Sequence, residues 1–374
     1  MSLAKGTGAG HLAVVIPAYN AAATLPECLS ALLQSERKPD EIILFDDGST
    51  DDTVEIARAA GVRVITNDKS KQGPAIGRNA GAAETSAAIV AFVDADVAVW
   101  PEALGRLEAP IVTGEAVATF GCYDDRPRSR RLPALYANLR HHWVHRHGKK
   151  NASTFWSGLG AIRHDVFTGQ GGFDPRFGEP SIEDVELGIR IVESGGQIRL
   201  VKDAWGTHCK DWGLLQLWRT DVLHRALPWA RLMKDGRGRS DDLNISRREQ
   251  FAAVLAHCVW VSALTGLVRP GLWPLTAAAV AGYLVLNRRF FAFLFHSGGW
   301  RAGLAGIGLH WCYHLYASLT YAWVASGFSS TFDRSRPPPR STWQESAGPR
   351  PPVLGSGPSR PRGFRTPRRW PKDL

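Results

Sequence analysis

A disulfide framework is absent from this chain. Its five cysteines (Cys28, Cys122, Cys209, Cys258 and Cys312) are odd in number and scattered, with no C-x-x-C pair. They read as reduced, buried thiols on a cytosolic face rather than as staples of a secreted scaffold. A charged-then-apolar leader is also missing: Met1 to Gly10 is small and flexible, so no cleaved signal is expected. Nor is there a basic nucleic-acid-binding body. The net charge is +10, yet the segment from Thr331 onward alone holds ten Lys/Arg against three Asp/Glu. The remainder is near balance, which excludes nucleic acid as the partner.

What is present begins with an alternation of strand-like and helix-like runs. Leu12 to Ile16 reads as a strand closed by Pro17. Residues 22–34 read as a helix with Thr24 as N-cap and Leu25, Leu29, Leu32 and Leu33 on one face. Glu41 to Phe45 is a second strand, a helix follows from Asp51 to about Ala60, and Val62 to Ile65 is a third strand. Another helix starts near Pro74, before the apolar strand Ala88 to Val93. This rhythm predicts a mostly parallel, doubly wound α/β sheet.

After Arg248 the character changes. Phe251 to Val268, Leu272 to Leu286 and Gly303 to Gly327 are long runs without Asp, Glu, Lys or Arg. A span needs about 20 apolar residues, so the first and third qualify and the second does so if short or tilted. Arg247-Arg248 and Arg288-Arg289 favour a cytoplasmic placement of both ends of a helical hairpin turning at Arg269-Pro270-Gly271. The third stretch then either re-enters or Phe290 to Phe295 belongs to another pass. Leu214 to Met233, rich in Leu and Trp with interspersed Arg, suits a helix lying in the headgroup plane. The domain plan is therefore a flexible 1–10, a catalytic 11–210, an interfacial 211–250, membrane-embedded helices in 251–328 and a disordered basic Pro/Arg-rich tail 329–374.

The chemistry gathers where predicted strands end, the carboxyl edge at which open α/β sheets bind ligands. The first strand delivers Pro17-Ala18-Tyr19-Asn20, the second Asp46-Asp47-Gly48-Ser49, and the fourth Asp94-Ala95-Asp96. Two carboxylates two apart on an extended chain point to one side and can hold a hard divalent cation. Asp47 can accept from a base N–H or a ribose hydroxyl. The helix opening at Gly73 offers free N–H groups, and Arg78 a fixed cation for phosphate oxygens. Downstream, Trp156 offers an aromatic face on which a ligand ring can stack, while Gly158 and Gly160 let backbone approach it. Glu183-Asp184 by itself reads as a favourable acidic first turn of a helix, which does not preclude a further role. Four histidines, His141, His142, His145 and His147, lack carboxylate company and read as a solvated basic helix.

The ordered set P-A-Y-N, D-D-G-S-x-D, G-x-x-x-x-R-N-x-G, D-A-D, G-G-F-D and E-D resembles the family 2 inverting glycosyltransferases of GT-A fold, over roughly residues 11–210. The resemblance implies a nucleotide-sugar donor and a GT-A domain followed by membrane helices. It places Tyr19, Asn20 and Asp47 at the nucleotide, Arg78 near the diphosphate, and Asp94 and Asp96 at the ribose and a divalent cation (Mg2+ or Mn2+). It makes Asp184 the catalytic base. His208 is a second metal ligand or a structural histidine, Glu183 orients the base or binds acceptor, and Lys210 can pair with phosphate. Gln216-Leu217-Trp218-Arg219-Thr220 resembles the Q-x-x-R-W motif of processive polysaccharide synthases, with Thr220 replacing the final Trp. The expected protein is an integral membrane enzyme facing the cytosol, which glycosylates a membrane-associated glycolipid or polyprenyl-linked acceptor. A processive synthase and a catalytically silent GT-A scaffold are the alternatives.

Overall fold

The computed structural model describes residues 10–67, 71–238 and 246–327. The expected flexible 1–10, apart from Gly10, and the tail 329–374 lie outside these residues. Chain order runs β1 (Leu12–Ala18), α1 (Leu25–Gln34), β2 (Glu41–Asp46), α2 (Thr53–Ala59), β3 (Arg63–Thr66), α3 (Pro74–Ala83), β4 (Ile89–Val93), β5 (Val97–Val99), α4 (Ala103–Val112) and β6 (Ala118–Tyr123). It continues with α5 (Leu132–His147), β7 (Asn151–Ala152), β8 (Leu159–Arg163), α6 (His164–Gly169), α7 (Glu183–Glu193) and β9 (Ile198–His208).

Nine strands among the described residues form one sheet, in the order β3-β2-β1-β4-β8-β6-β9-β5, with β7 paired to β9. The first four strands pair in parallel, as the βαβ rhythm predicts. Beyond β4 the sheet becomes mixed: β8 is antiparallel to both β4 and β6, β5 and β7 are antiparallel to β9, and β6 and β9 are parallel. Short strands without clean alternation hid that second half from the sequence pattern.

Alternation builds two core layers. Val14, Ile16, Ala91 and Val93 face one side and pack with Leu29 and Leu32 of α1 and Leu104 and Leu107 of α4. Val15, Val90 and Phe92 face the other and pack with Ala75 of α3, Phe167 of α6, and Leu187 and Ile191 of α7. The period of two thus sends alternate residues to opposite helical layers. Leu33 does not join: it is 47% exposed. The Thr24 hydroxyl donates to the Ala21 carbonyl instead of capping α1.

Past β9 the chain is helical. α8 (Leu214–Arg219), a π-helical turn Thr220–Ala226 and α9 (Leu227–Lys234) run together, and α10 (Arg247–Val268) and α11 (Trp273–Ala325) follow. Leu217, Ala230 and Leu232 are buried, while Leu214, Leu215, Trp218 and Leu223 are exposed. α10 and α11 are long and apolar enough to cross a membrane by length and composition. α11 is broken at Gly299, whose left-handed φ of 79° reverses the chain. Its two halves fold back on each other, since the Tyr283 hydroxyl reaches His314 Nδ1 at 3.0 Å. Phe290 to Phe295 therefore belongs to the first half, which runs through Arg288-Arg289 rather than stopping at Leu286.

Helix α5 lies between the sheet and this bundle. Its residues Leu135, Tyr136 and Leu139 form a third core with Phe290, Phe291, Leu294 and Ala302. The expected solvated basic helix is thus corrected: His145 is buried, and His142 stacks between Trp205 and Phe293. Apolar partners far along the chain override the local polar composition. The thiols also divide, Cys28, Cys122 and Cys209 being buried and Cys258 and Cys312 exposed on the apolar helices.

Gly188 lets α7 lie against the 154–155 backbone: a Cβ there would stand 2.1 Å from the Phe155 nitrogen. Gly188→Ala should destabilise the protein by about 1–3 kcal/mol by overpacking. A lowered unfolding temperature of the full chain in detergent would show it; an unchanged one would refute this packing.

Candidate active site

The carboxyl edges of β1, β2 and β4 lie side by side, with Ala18 in register with Asp46 and Val15 with Phe92. Pro17 and Ala18 end β1, and Tyr19 and Asn20 stand exposed just beyond it. Asn20 takes a left-handed φ of 49°, and its side-chain oxygen accepts from the Thr50 nitrogen at 2.8 Å, tying the first loop to the second. Asp47 is buried and accepts from the backbone nitrogens of Gln72 (2.9 Å) and Gly73 (2.7 Å) and from Asn67 Nδ2 (2.9 Å). This carboxylate therefore fixes the start of α3. Gly73 is needed there, having φ 95° and the Gly178 carbonyl oxygen 2.2 Å from where a Cβ would sit. Lys71 lies over the Tyr19 ring at 4.4 Å.

Asp94-Ala95-Asp96 forms a turn, closed by the Val97 nitrogen on the Asp94 carbonyl at 3.0 Å, and is not an extended pair. The two carboxylates take different partners. Asp94 meets Arg78 at 2.7 Å, and the other arm of Arg78 meets Glu183 at 2.7 Å. Burial opposes the guanidinium's charge, but Asp94, Glu183 and Asp184 outweigh it and raise its pKa above the ordinary arginine value. Glu183 is 3% exposed, and its second oxygen accepts from the Ser181 nitrogen. Both its oxygens are thus engaged by the protein at the first turn of α7.

Asp96 lies 3.6 Å from His208 Nε2 and 3.8 Å from Lys210 Nζ. Burial works against its ionised form, yet His208 and Lys210 prevail and hold the carboxyl well below the usual range. His208 stacks on Tyr123 with centroids 4.4 Å apart, and its Nδ1 is held by the Asn138 side-chain oxygen. That leaves Nε2 turned to Asp96, the arrangement expected of a metal-binding imidazole with a fixed outer partner. Neighbouring ligands of an octahedral cation at about 2.1 Å stand about 3 Å apart, so Asp96 and His208 fit a divalent cation with small adjustment.

Asp184 behaves oppositely. Burial, then the neighbouring Glu183, push its carboxyl up to about 6 against hydrogen bonds from the Ser157 and Val185 nitrogens. It sits in the second position of α7, on the wall of a cavity of about 950 Å³. Arg78, Asp94, Asp96, Trp156, Gly158, Glu183 and His208 line the same cavity. Pro17, Ala18, Tyr19, Asn20 and Asp47 do not, although Lys71 connects Tyr19 to it.

A Cβ on Gly158 would meet the Trp156 ring at 2.6 Å, and one on Gly160 the Phe155 ring at 2.7 Å. The missing Cβ atoms thus let Trp156 and Phe155 pack against this backbone, and Gly158 and Trp156 both line the cavity. The cavity also enlists residues that the pattern did not reveal: Asn138, Tyr123, His141 and His145. His141 packs on Tyr123 and Trp156, and burial keeps its imidazole well below its ordinary pKa, hence neutral. Asn138 carries no motif; only its position opposite β9 gives it a role. From Asp96 and Asp184 the cavity continues past Arg219 and Arg225 to Ala253, Val254 and His257 of α10 and Ala317 and Tyr321 of α11.

Residues 13–169 match the family model of glycosyl transferase family 2. The chain is 28% identical over 241 residues to validoxylamine A glucosyltransferase of Streptomyces hygroscopicus subsp. limoneus, covering 52% of this chain and 51% of that protein. It is 32% identical over 126 residues to glucosyl-3-phosphoglycerate synthase of Mycobacterium tuberculosis, covering 31% of this chain and 38% of that one. It thus spans about half the length of these relatives or less. A mannosyltransferase of Pyrobaculum calidifontis, solved with GDP-Man and Mn2+, shares the fold with a TM-score of 0.52 at 17% identity, over 86% of this chain and 90% of that one.

Asn138→Ala should leave the fold intact and weaken Mn2+ binding about 10- to 100-fold, the usual effect of losing an outer partner of a metal-binding histidine. Titration of Mn2+ by its paramagnetic signal checks this; unchanged affinity would remove His208 from the metal site.

Proposed function

We propose that this chain, which carries a glycosyl transferase family 2 domain at residues 13–169, moves a sugar from a nucleotide-sugar donor to a hydroxyl of a membrane-associated, lipid-linked acceptor, with inversion. The observation that carries the proposal is the single cavity joining Asp96 and Asp184 to side chains of α10 and α11. A soluble acceptor would have no use for a cavity that ends among apolar helices whose outer faces are exposed.

Asp184 is the base. It takes the acceptor hydroxyl's proton as the oxygen attacks the anomeric carbon from the face opposite the departing nucleoside diphosphate. A carboxyl raised to about 6 is ionised at neutral pH while being more basic than an ordinary aspartate. Asp96 and His208 would hold the divalent cation, and a bound cation offsets charge on the leaving diphosphate. The mannosyltransferase with GDP-Man and Mn2+ supports that pairing of donor and metal. Arg78, on the cavity wall with its two arms held by Asp94 and Glu183, is assigned to the diphosphate. Tyr19 and Asn20, exposed at the end of β1, are assigned to the nucleotide. Trp156, on the cavity wall, is assigned to the acceptor side.

The catalytic domain is assigned to 11–210, with α8 and α9 at the headgroup plane and α10 and α11 anchoring it from the cytoplasmic side. The Arg248 guanidinium donates to the Leu286 carbonyl at 2.6 Å, which sets Arg248 level with Arg288 and Arg289. Basic residues gathered at one level favour the anionic cytoplasmic surface. α10 spans 22 residues, about 33 Å at 1.5 Å per residue, close to the thickness of the hydrocarbon core.

Asp184→Asn should cut transfer about 10²- to 10⁴-fold, the usual contribution of a general base, while donor binding by calorimetry stays close to wild type. Wild-type turnover in this variant would remove the assignment. In the parent enzyme, kcat/KM should fall about tenfold per pH unit below the Asp184 pKa near 6, because the protonated carboxyl accepts no proton. A limb centred near pH 4 would place the base elsewhere. Supplied with labelled nucleotide-sugars and extracted membrane lipids, the full chain should put label into the lipid fraction; label confined to soluble acceptors would overturn the acceptor class.

A further inference from the structure

A second group of ligating side chains lies in the helical bundle. Glu249 of α10 and His310 and His314 of α11 bring their ligand atoms within 4.8 Å of one another. His314 Nε2 is already 3.1 Å from the Glu249 carboxylate. Both rings are anchored through Nδ1: the Tyr136 hydroxyl meets His310 Nδ1 at 3.0 Å, and the Tyr283 hydroxyl meets His314 Nδ1 at 3.0 Å. His310 and His314 are buried, one helical turn apart on the same face.

Local chemistry does not account for this arrangement. Ser246 accepts from the Glu249 nitrogen, the first half of a capping box, in which the glutamate side chain would return to the helix start. Glu249 turns to His314 instead. A simple histidine–carboxylate bond would need only His314, whereas His310 and its own tyrosine partner complete a set of two imidazoles and one carboxylate.

We propose that Glu249, His310 and His314 bind a divalent transition-metal ion of the zinc class, separate from the cation assigned to Asp96 and His208. Two histidines and a glutamate are a known three-protein-ligand set for zinc, which leaves a fourth position open. Tetrahedral ligands at about 2.0–2.1 Å stand about 3.3 Å apart, so the Glu249–His314 pair is already at ligand spacing and His310 has only to close in. Tyr136 and Tyr283 accept from the Nδ1–H groups and present Nε2 to the ion, as outer partners of metal-bound histidines do. Glu249 and His314 line the main cavity, which provides the route of entry. The ion would clamp α10 to the second half of α11 and, through Tyr136, to α5.

The test is metal content and zinc affinity of the full chain purified in detergent without chelator, measured by elemental analysis and by competition with a chromophoric zinc chelator. One zinc per chain is expected, falling to background in His310→Ala and His314→Ala but retained in Asp96→Asn. Tyr283→Phe, which preserves the ring, should weaken zinc binding about 10- to 100-fold and keeps the test open where a histidine variant fails to fold. Zinc at background in the wild type would overturn the proposal, as would loading unchanged by His310→Ala or Tyr283→Phe. Loss of zinc in Asp96→Asn alone would assign the ion to the active site and refute a second one.

Discussion

One buried guanidinium holds the active site together. Arg78 comes from the middle of α3, Asp94 from the end of β4, and Glu183 from the first turn of α7, which is 105 residues away in sequence. Each carboxylate is 2.7 Å from its own arm of the fork, a geometry that only arginine supplies. Taking such a charge out of water is costly, and removing one partner of a buried pair typically costs about 3–5 kcal/mol. The bridge therefore fixes where α7 starts relative to β4, and with it the separation between Asp96 and Asp184.

The consequence is electrostatic as well as geometric. Asp96 and Asp184 line one cavity, yet their surroundings drive them apart. Asp96, beside His208 and Lys210, is kept ionised, while Asp184, buried beside Glu183, is pushed up to about 6. Arg78 mediates this division by compensating Asp94 and Glu183 and only partly offsetting the rise at Asp184. Two carboxyls of one type thereby become suited to different tasks, the first to a cation and the second to a proton.

Much of this was legible in the sequence where local pattern and chemistry coincide. The β-branched runs of β1, β2 and β4 gave the parallel half of the sheet, and the acidic residues after them marked its carboxyl edge. Contacts between distant segments were not legible. The D-x-D spacing suggested two carboxylates on one extended face, but the turn at Ala95 sends Asp94 to Arg78 and Asp96 to His208. The histidines of α5 suggested a wet surface because nothing in 132–147 announces that Phe290, Phe293 and Trp205 close over it. Asn138 was invisible for the same reason, since its partner His208 is 70 residues away.

In the proposed reaction the helices after β9 would do more than anchor the chain. Arg140 on α5 pairs with Asp221 at 2.8 Å, and the same aspartate accepts from the Tyr316 hydroxyl at 2.6 Å. Burial opposes ionisation of Asp221, but Arg140 and Arg225 keep its pKa below the ordinary value. This network joins α5, the π-helical turn and α11, so the wall of the catalytic cavity and the apolar bundle are one packed unit. α5 carries Asn138 to His208 on one side and Tyr136 to His310 on the other. A displacement of the bundle would therefore be felt at His208, and the cavity would lose the part of its wall that α10 and α11 provide. An enzyme acting on a freely diffusing acceptor gains nothing from that coupling. The acceptor proposed above, arriving along the bundle, would need it, because the contacts that hold the helices also hold the cavity wall that leads to Asp184.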